Sequence, residues 1–523
     1  MLNFHRGNQS LVVLGLVGLS LAASAAQANV SLPAFFSTNM ILQRDRGIPV
    51  WGTADPGEKV TVTFDKAVSS TTAGPDGKWK VTLKSHPAAE SLILTVAGKN
   101  TITLDNVAVG DIWFCSGQSN MGFAVRQSRN AEAEIAKSTD PSLRLFTVAK
   151  NAIDTPQTDV KGSWSAASPE SVRGMTAVGY YFGRELREKL HIPIGLIHSS
   201  WGGTSAAWTS NSALSAQPEL KSLVGDWDKS IAAYSEADTR RKYETETLPR
   251  WQALADQAKA DNKPAPPRPA LPGSPAQSPN RPTSLYNGMV APVIPFAIKG
   301  ALWYQGESNA GRAAQYRTLF PTMIRDWRSR WGEGDFPFLF VQLANFRTVQ
   351  TAPVENDGWP MLREAQALTL SLPHTGMATA IDLADAENPG DIHPKNKQDV
   401  GHRLALVALA TEYKSEYKQE VVYSGPVFDR LKIDGGKARL TYKFASGLKA
   451  KGDKLQGFAV SGSDGVWQWA DAVIDGVTVV VSSPSVSAPV AVRYDWASNP
   501  IGNLYNGSDL PALPFRTDTQ SPK

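Results

Sequence analysis

The chain predicts a doubly wound α/β domain with a five-stranded parallel sheet, flanked by two all-β regions. Between residues 108 and 415, short apolar runs alternate with amphipathic stretches, the rhythm of strands joined by crossover helices. On either side, short β-branched runs are separated by turn residues, the pattern of antiparallel sandwiches. At 523 residues the chain is also too long for one hydrophobic core.

Taken in order, residues 1–28 have the form of a Sec-type signal peptide. His5 and Arg6 precede an apolar run from Leu11 to Ala23, and Ala26-Gln27-Ala28 is a small-x-small cleavage site. The run is too short to span a bilayer. Export to the periplasm or the extracellular space is therefore expected. Residues 29–107 read as an N-terminal sandwich, with strands near Ile48–Gly52, Lys59–Phe64, Trp79–Leu83 and Ser91–Val96. The parallel strands of the central domain are expected at Asp111–Cys115, Ile194–His198, Gly300–Tyr304, Phe338–Leu343 and Met377–Ile381. Helices are expected over Phe123 to about Lys137, Val178–Leu190, Ala313–Trp331, Met361–Leu370 and Lys395–Tyr413, with Pro394 suited to the first turn of the last. An insertion at about 212–282 carries a charged helical stretch, Asp226 to Lys259, and then a Pro-rich connector. Residues 416–518 return to β, with runs at Val421–Tyr423, Ala438–Tyr442, Phe458–Val460, Val477–Val481 and Ala491–Tyr494.

Composition excludes several classes of function. A net charge of +4 gives no reason to expect nucleic acid or a membrane surface as partner. No stretch after the leader is apolar for long enough to cross a membrane. The single cysteine, Cys115, excludes an intramolecular disulfide and reads as a small buried hydrophobe. Asp382, Asp385 and Glu387 cluster without the histidine or cysteine spacing of a metal site, so neither metal nor cofactor is expected.

The chemistry centres on Gly110 to Met121. A buried strand runs out into Gly117-Gln118-Ser119-Asn120, and ligands of doubly wound sheets bind at the carboxyl ends of the strands. Ser119 is the candidate nucleophile. Its candidate base is His393, in Asp391-Ile392-His393-Pro394 after the last strand, with Asp391 as the group that orients it. His198 is the rival base, at the end of the second strand. His402 lies within the last helix and His374 in a loop. Donors for an oxyanion are available from Trp201-Gly202-Gly203-Thr204-Ser205, where Gly203 is the candidate, and from Gln305-Gly306-Glu307-Ser308-Asn309, where Gln305 and Asn309 are. A Gly-x-Ser-x-Gly nucleophile elbow is absent.

Together these motifs carry a family resemblance. Gly-Gln-Ser-Asn-Met, Ser-Trp-Gly-Gly-Thr, Trp-Tyr-Gln-Gly-Glu-Ser-Asn and Asp-Ile-His-Pro, in that order, resemble the four blocks of the SGNH hydrolase superfamily. More narrowly, they resemble the sialate O-acetylesterase-like carbohydrate esterases. Leu285 to Pro292 and the opening Phe36 to Gly52 fit the same family. The resemblance implies a serine esterase removing O-acetyl groups from sugars. Ser119, His393 and Asp391 would form the triad. The N–H groups of Ser119 and Gly203, with a side-chain amide from Gln305 or Asn309, would form the oxyanion hole. Gln305, at the strand end, is favoured over Asn309. The last block is Asp-x-His, where the superfamily commonly has Asp-x-x-His. An acetylated hemicellulose (xyloglucan or xylan) and an O-acetylated sialic acid both fit as substrate, and export with sandwich modules favours the plant polysaccharide. The alternatives are a non-catalytic carbohydrate-binding protein and a serine hydrolase for another ester, such as a lipid.

Overall fold

In the computed structural model, which describes residues 29–354 and 358–518, one long strand ties the N-terminal and central regions together. Strand β1 (Thr101–Gly117) is 17 residues long. Its first half pairs antiparallel with Ala89–Ala97, while Ile41–Gln43 runs parallel to it at Ala108–Gly110. Its second half is the centre of the parallel sheet. The boundary expected at 107 therefore lies inside a strand. The N-terminal strands and the α/β layers also share one hydrophobic cluster, running from Val30 to Leu513, whereas the C-terminal strands pack around their own. The leader expected at 1–28 lies outside the described residues.

Across the sheet the strands are ordered β7 (Thr375–Thr379), β6 (Phe338–Gln342), β5 (Gly300–Tyr304), β1, β4 (Ile194–Ser200), β2 (Asp140–Thr147) and β3 (Trp164–Ala167). The expected five-strand sheet is corrected by β2, which pairs parallel with β4 and makes a sixth parallel strand, and by β3, an antiparallel edge. Ser142-Leu143-Arg144-Leu145-Phe146 is buried throughout, Arg144 included. Its guanidinium bonds the Asn106 side chain and the Asn39 carbonyl, which is how a charged residue sits within a core strand.

Helices cover both faces. Successive residues of a strand point to opposite sides. Trp113 meets Phe182 of α1 (Ala177–Leu190) at 5.0 Å, whereas Phe114 meets Trp327 of α2 (Ala313–Trp331) at 5.5 Å. Cys115 is fully buried. Its neighbour Gly179, on α1, leaves the sulfur its space, since a Cβ there would lie 2.9 Å from Sγ. Helix α3 (Gly358–Leu368) packs beside α2, and α4 (Lys397–Thr411) beside α1.

Three local expectations are revised. Helix α4 starts at Lys397, capped by Asn396, whose side chain accepts from the Asp399 N–H. Pro394 thus lies in the preceding loop. Phe123 to Lys137 is a 3₁₀ turn (Val125–Gln127) and a short helix (Ala131–Ala136) separated by Asn130 in left-handed conformation. Val421–Tyr423 is not a strand, and the C-terminal sheets begin at Val427–Asp434. The insertion is helical over Ser222–Ala232, Glu236–Lys242 and Leu248–Ala260, followed by a Pro-rich run that is irregular apart from a 3₁₀ turn at Pro275–Gln277. No helix among the described residues is long and apolar enough to cross a membrane.

Candidate active site

Strand register brings the motif loops to one level. Gly117 at the end of β1 is opposite Ser200 at the end of β4 and Tyr304 at the end of β5. The segments that follow, from Gln118, Trp201 and Gln305, therefore leave the same edge of the sheet. Gly117 makes the turn possible. Its φ is +137°, and a Cβ would lie 2.2 Å from the Tyr304 carbonyl oxygen, so only glycine fits.

Ser119 is exposed between two buried amides, Gln118 and Asn120. Its Oγ lies 2.9 Å from His393 Nε2, and His393 Nδ1 lies 3.3 Å from Asp391 Oδ1. The same carboxylate oxygen accepts from the His393 backbone N–H at 2.9 Å. This local Asx-type closure explains the short Asp-x-His spacing, because one oxygen holds both the backbone and the ring of the residue two positions on. Phe123 stacks alongside the imidazole, with ring centroids 6.2 Å apart.

The two amides beside Ser119 act as staples. Gln118 Oε1 accepts from the N–H groups of Gly306 and Ser308, both at 3.4 Å. Asn120 Nδ2 donates to Glu307 Oε1 at 2.6 Å and to the Ile392 carbonyl at 3.0 Å, while its Oδ1 accepts from Lys397 Nζ at 2.6 Å. Asn120 thus joins the Ser119 turn, the Glu307 loop and the His393 loop. Lys397 is fully buried. Burial pushes its ammonium down to about 7, against the opposing pull of Glu307 and Asp391. Burial likewise raises Glu307, partly offset by the Asn120 bond and the Lys397 charge. The ammonium also lies over the rings of Phe123 and Tyr304, at 4.8 and 5.4 Å from their centroids. Lys397 was missed in the sequence, although it carries the stripe Val400, Leu404, Val407 back by one turn and so falls on the buried face.

The oxyanion candidates separate. Gln305, favoured from its place at the strand end, has both ends of its amide occupied. Oε1 accepts from Ser205 Oγ at 2.7 Å and Tyr316 OH at 3.0 Å, and Nε2 donates to Asn309 Oδ1 at 2.7 Å. These bonds orient Asn309, whose Nδ2 is buried without an acceptor among the described residues. The backbone N–H groups of Ser119 and Gly203 likewise have no acceptor among the described residues.

Of the other candidate histidines, His198 borders the same opening as Ser119 but bonds a different hydroxyl, and His402 and His374 face acidic residues. His198 Nε2 bonds Ser200 Oγ at 2.7 Å, and burial lowers the ring to about 4. His402 faces Glu185 at 2.9 Å, which raises it, and His374 lies 3.9 Å from Glu412. Asp382 pairs with Arg403 rather than with Asp385 or Glu387, and no group that could hold a metal ion occurs among the described residues.

A cleft of about 570 Å³ opens over Ser119 and His393, walled by Phe123, Gln127, Lys150, Trp201 and Gly202. Lys150 is its one permanently charged side chain among the described residues, 5.7 Å from the Trp201 ring centroid. No residue of 212–282 lines this cleft. The insertion instead borders a separate hollow of about 520 Å³, where Trp227 and Asp228 face Asp154 and Arg281.

Comparison with known proteins defines the family. Residues 269–410 match the family model described as carbohydrate esterase, sialic acid-specific acetylesterase. The chain is 30% identical to the sialate O-acetylesterase of Mus musculus, over 96% of this chain and 97% of that protein. It is 30% identical to that of Homo sapiens over 96% of each. A carbohydrate acetylesterase from Xanthomonas citri superposes with a TM-score of 0.77 at 38% identity, covering 94% of this chain and 100% of that one. The chain belongs to the sialate O-acetylesterase family of carbohydrate esterases, and it is a carboxylic-ester hydrolase.

The state of His198 has a pH signature. Its folded pKa of about 4 lies below the ordinary 6.5, so the unfolded chain binds more protons between those values. Stability is complete above pH 6.5 and falls as pH drops towards 4, by up to about 3 kcal/mol from this residue. Urea unfolding at pH 7 and pH 4.5 should show a smaller acid loss for His198→Gln than for the wild type. Equal losses would place the titration elsewhere.

Proposed function

We propose that this enzyme removes O-acetyl groups from a sugar through an acetyl-enzyme on Ser119. Ser119 Oγ attacks the acetyl carbonyl carbon as its proton passes to His393 Nε2. Asp391 holds the imidazole and stabilises its charge. The carbonyl oxygen, now negative, is held by the N–H groups of Ser119 and Gly203 and by Asn309 Nδ2. The tetrahedral species collapses, and the His393 proton leaves with the sugar hydroxyl. Water, deprotonated by the same imidazole, then attacks the acetyl group, and acetate departs with Ser119 restored. The observation that carries this reading is the 2.9 Å contact between Ser119 Oγ and His393 Nε2, backed by a carboxylate and set in an accessible cleft. The choice of Asn309 over Gln305 rests on the unpartnered Asn309 amide.

For the substrate, an acetylated hemicellulose, xyloglucan or xylan, is the first candidate. An open cleft with Trp201 and Phe123 on its walls suits a sugar ring carried on a polymer. A second reading is favoured by Lys150. Its ammonium has no carboxylate partner among the described residues and would attract an acetylated sugar bearing a carboxylate, such as a sialic acid.

Ser119→Ala should lower acetate release from an activated acetyl ester by about a thousandfold or more while the fold persists. Retained turnover in a folded variant would refute the acetyl-enzyme. Asn309→Ala should cost about a hundredfold in kcat with KM nearly unchanged, measured on the same ester. An unchanged kcat would remove Asn309 from the oxyanion hole. Acetate release from acetylated xyloglucan, xylan and sialosides, with and without Lys150→Met, separates the two substrate readings. On the hemicellulose reading the variant matches the wild type, whereas on the acidic-sugar reading kcat/KM for the sialoside falls about tenfold.

A further inference from the structure

The stretch that leads into Asp391 and His393 has few anchors of its own. From Ala384 to Asp391 its internal bonds are short turns, Asn388 N–H to Asp385 O and Asp391 N–H to Asn388 O, plus a side-chain bond from the Glu387 N–H to Asp385. Beyond Asp391 the loop is tied to the Ser119 turn through Ile392 O, which accepts from Asn120, whereas the outside anchors of residues 384–391 among the described residues come from the loop after β6. The Ala384 N–H donates to Asn345 Oδ1 at 2.8 Å, and the Arg347 N–H donates to the Pro389 carbonyl at 2.8 Å. Pro389 is two residues from Asp391.

The loop after β6 is in turn held by the C-terminal β region. Beyond strand Ala491–Tyr494, the chain passes through Asp495 in left-handed conformation (φ 52°). Residues 496–499 are then buried against the central domain. Asn499 makes three contacts there. Its Nδ2 donates to the Arg347 carbonyl at 2.7 Å, its Oδ1 accepts from Asn345 Nδ2 at 2.9 Å, and its carbonyl accepts from the Gln350 N–H at 2.8 Å. Ser498 O accepts from the Phe346 N–H at 3.1 Å. Arg363, fully buried on α3, joins the two sides. Its guanidinium donates to Ala497 O and Ser498 O across the interface and to Leu343 O and Ala344 O at the end of β6. Each buried carbonyl would be costly to leave unpaired, so this junction resists sliding.

We propose that Asn499 is a positioning residue for the catalytic pair, and that the C-terminal region serves the reaction by holding the Asp391–His393 loop in register with Ser119. The proposal rests on the acetyl-enzyme reading above, because it acts through Asp391. A small displacement of Asp391 would loosen the imidazole without touching the cleft that binds the sugar. The loss therefore falls on kcat rather than KM.

The test uses the full chain and four variants: Asn499→Ala, Asp391→Ala, the double variant, and Glu364→Gln. Glu364→Gln weakens a different bond across the same interface, the one Arg516 donates to the Glu364 carboxylate. On an activated acetyl ester, Asn499→Ala should lower kcat by about tenfold or more with KM little changed. It should cause no further loss when Asp391 is already alanine. Glu364→Gln should lower the unfolding temperature and leave kcat near that of the wild type. Wild-type kcat in Asn499→Ala alongside a crippled Asp391→Ala would overturn the proposal and leave the triad intact. So would independent, multiplying losses in the double variant. Full activity in Asp391→Ala would instead sink the triad reading. Should Asn499→Ala fail to fold, Asn499→Asp keeps the acceptor for Asn345 and removes only the donor to Arg347 O, with the same loss expected.

Discussion

The hydrogen bonds of one buried amide, Asn120, hold the site together. It lies next to the proposed nucleophile and touches three other segments, through Glu307, Ile392 and Lys397. A half-buried carboxylate and a fully buried ammonium thus lie at opposite ends of one neutral side chain. Each charge would be costly to bury alone, and together they are tolerated because the amide offers a donor to one and an acceptor to the other. The arrangement fixes the Ser119 turn without placing a charge beside the hydroxyl. It also explains why a serine flanked by Gln118 and Asn120 suits this sheet edge, since both amides are spent on neighbouring loops and the hydroxyl is left to face His393 and the cleft.

Around this point the molecule is braced in two further directions. Strand β1 runs from the N-terminal sheet into the centre of the parallel sheet, so the edge that carries Ser119 is anchored by both. From the other end of the chain, Asn499 and Arg363 join the C-terminal region to the loop after β6, which meets the Asp391 loop. The all-β regions are therefore continuous with the scaffold of the site and are not appended modules joined by flexible linkers.

Much of this was legible in the residues. Helix α2 spans Ala313–Trp331, the expected range, because its apolar stripe is long and unbroken by Gly. The motif loops were readable because glycines and paired polar residues follow apolar strands. The misreadings share a physical origin. Strand β2 carries Arg144 in its middle and does not look like a buried strand until Asn106 and Asn39 are seen to satisfy the guanidinium. Pro394 was placed at the start of α4 by its own preference, but Asn396 makes the better cap. Gln305 looked like the donor from its place at a strand end, whereas its amide nitrogen donates to Asn309 and its oxygen accepts from Ser205 and Tyr316, partners that only the packed fold brings to it.

What the sequence by itself determined is the set of chemical groups and the edge on which they gather. Periodicity decides which runs become parallel strands, and in such a sheet the segments after the strands leave from one side. Only the tertiary structure decided which member of each motif faces the cleft and which is used as a support. That choice depends on where hydrogen-bond partners from remote segments arrive. Lys397 reaches Asn120 across 277 positions of chain, and Asn499 reaches Arg347 across 152. No local preference encodes such meetings, because each is set by the packing of whole elements around a shared core.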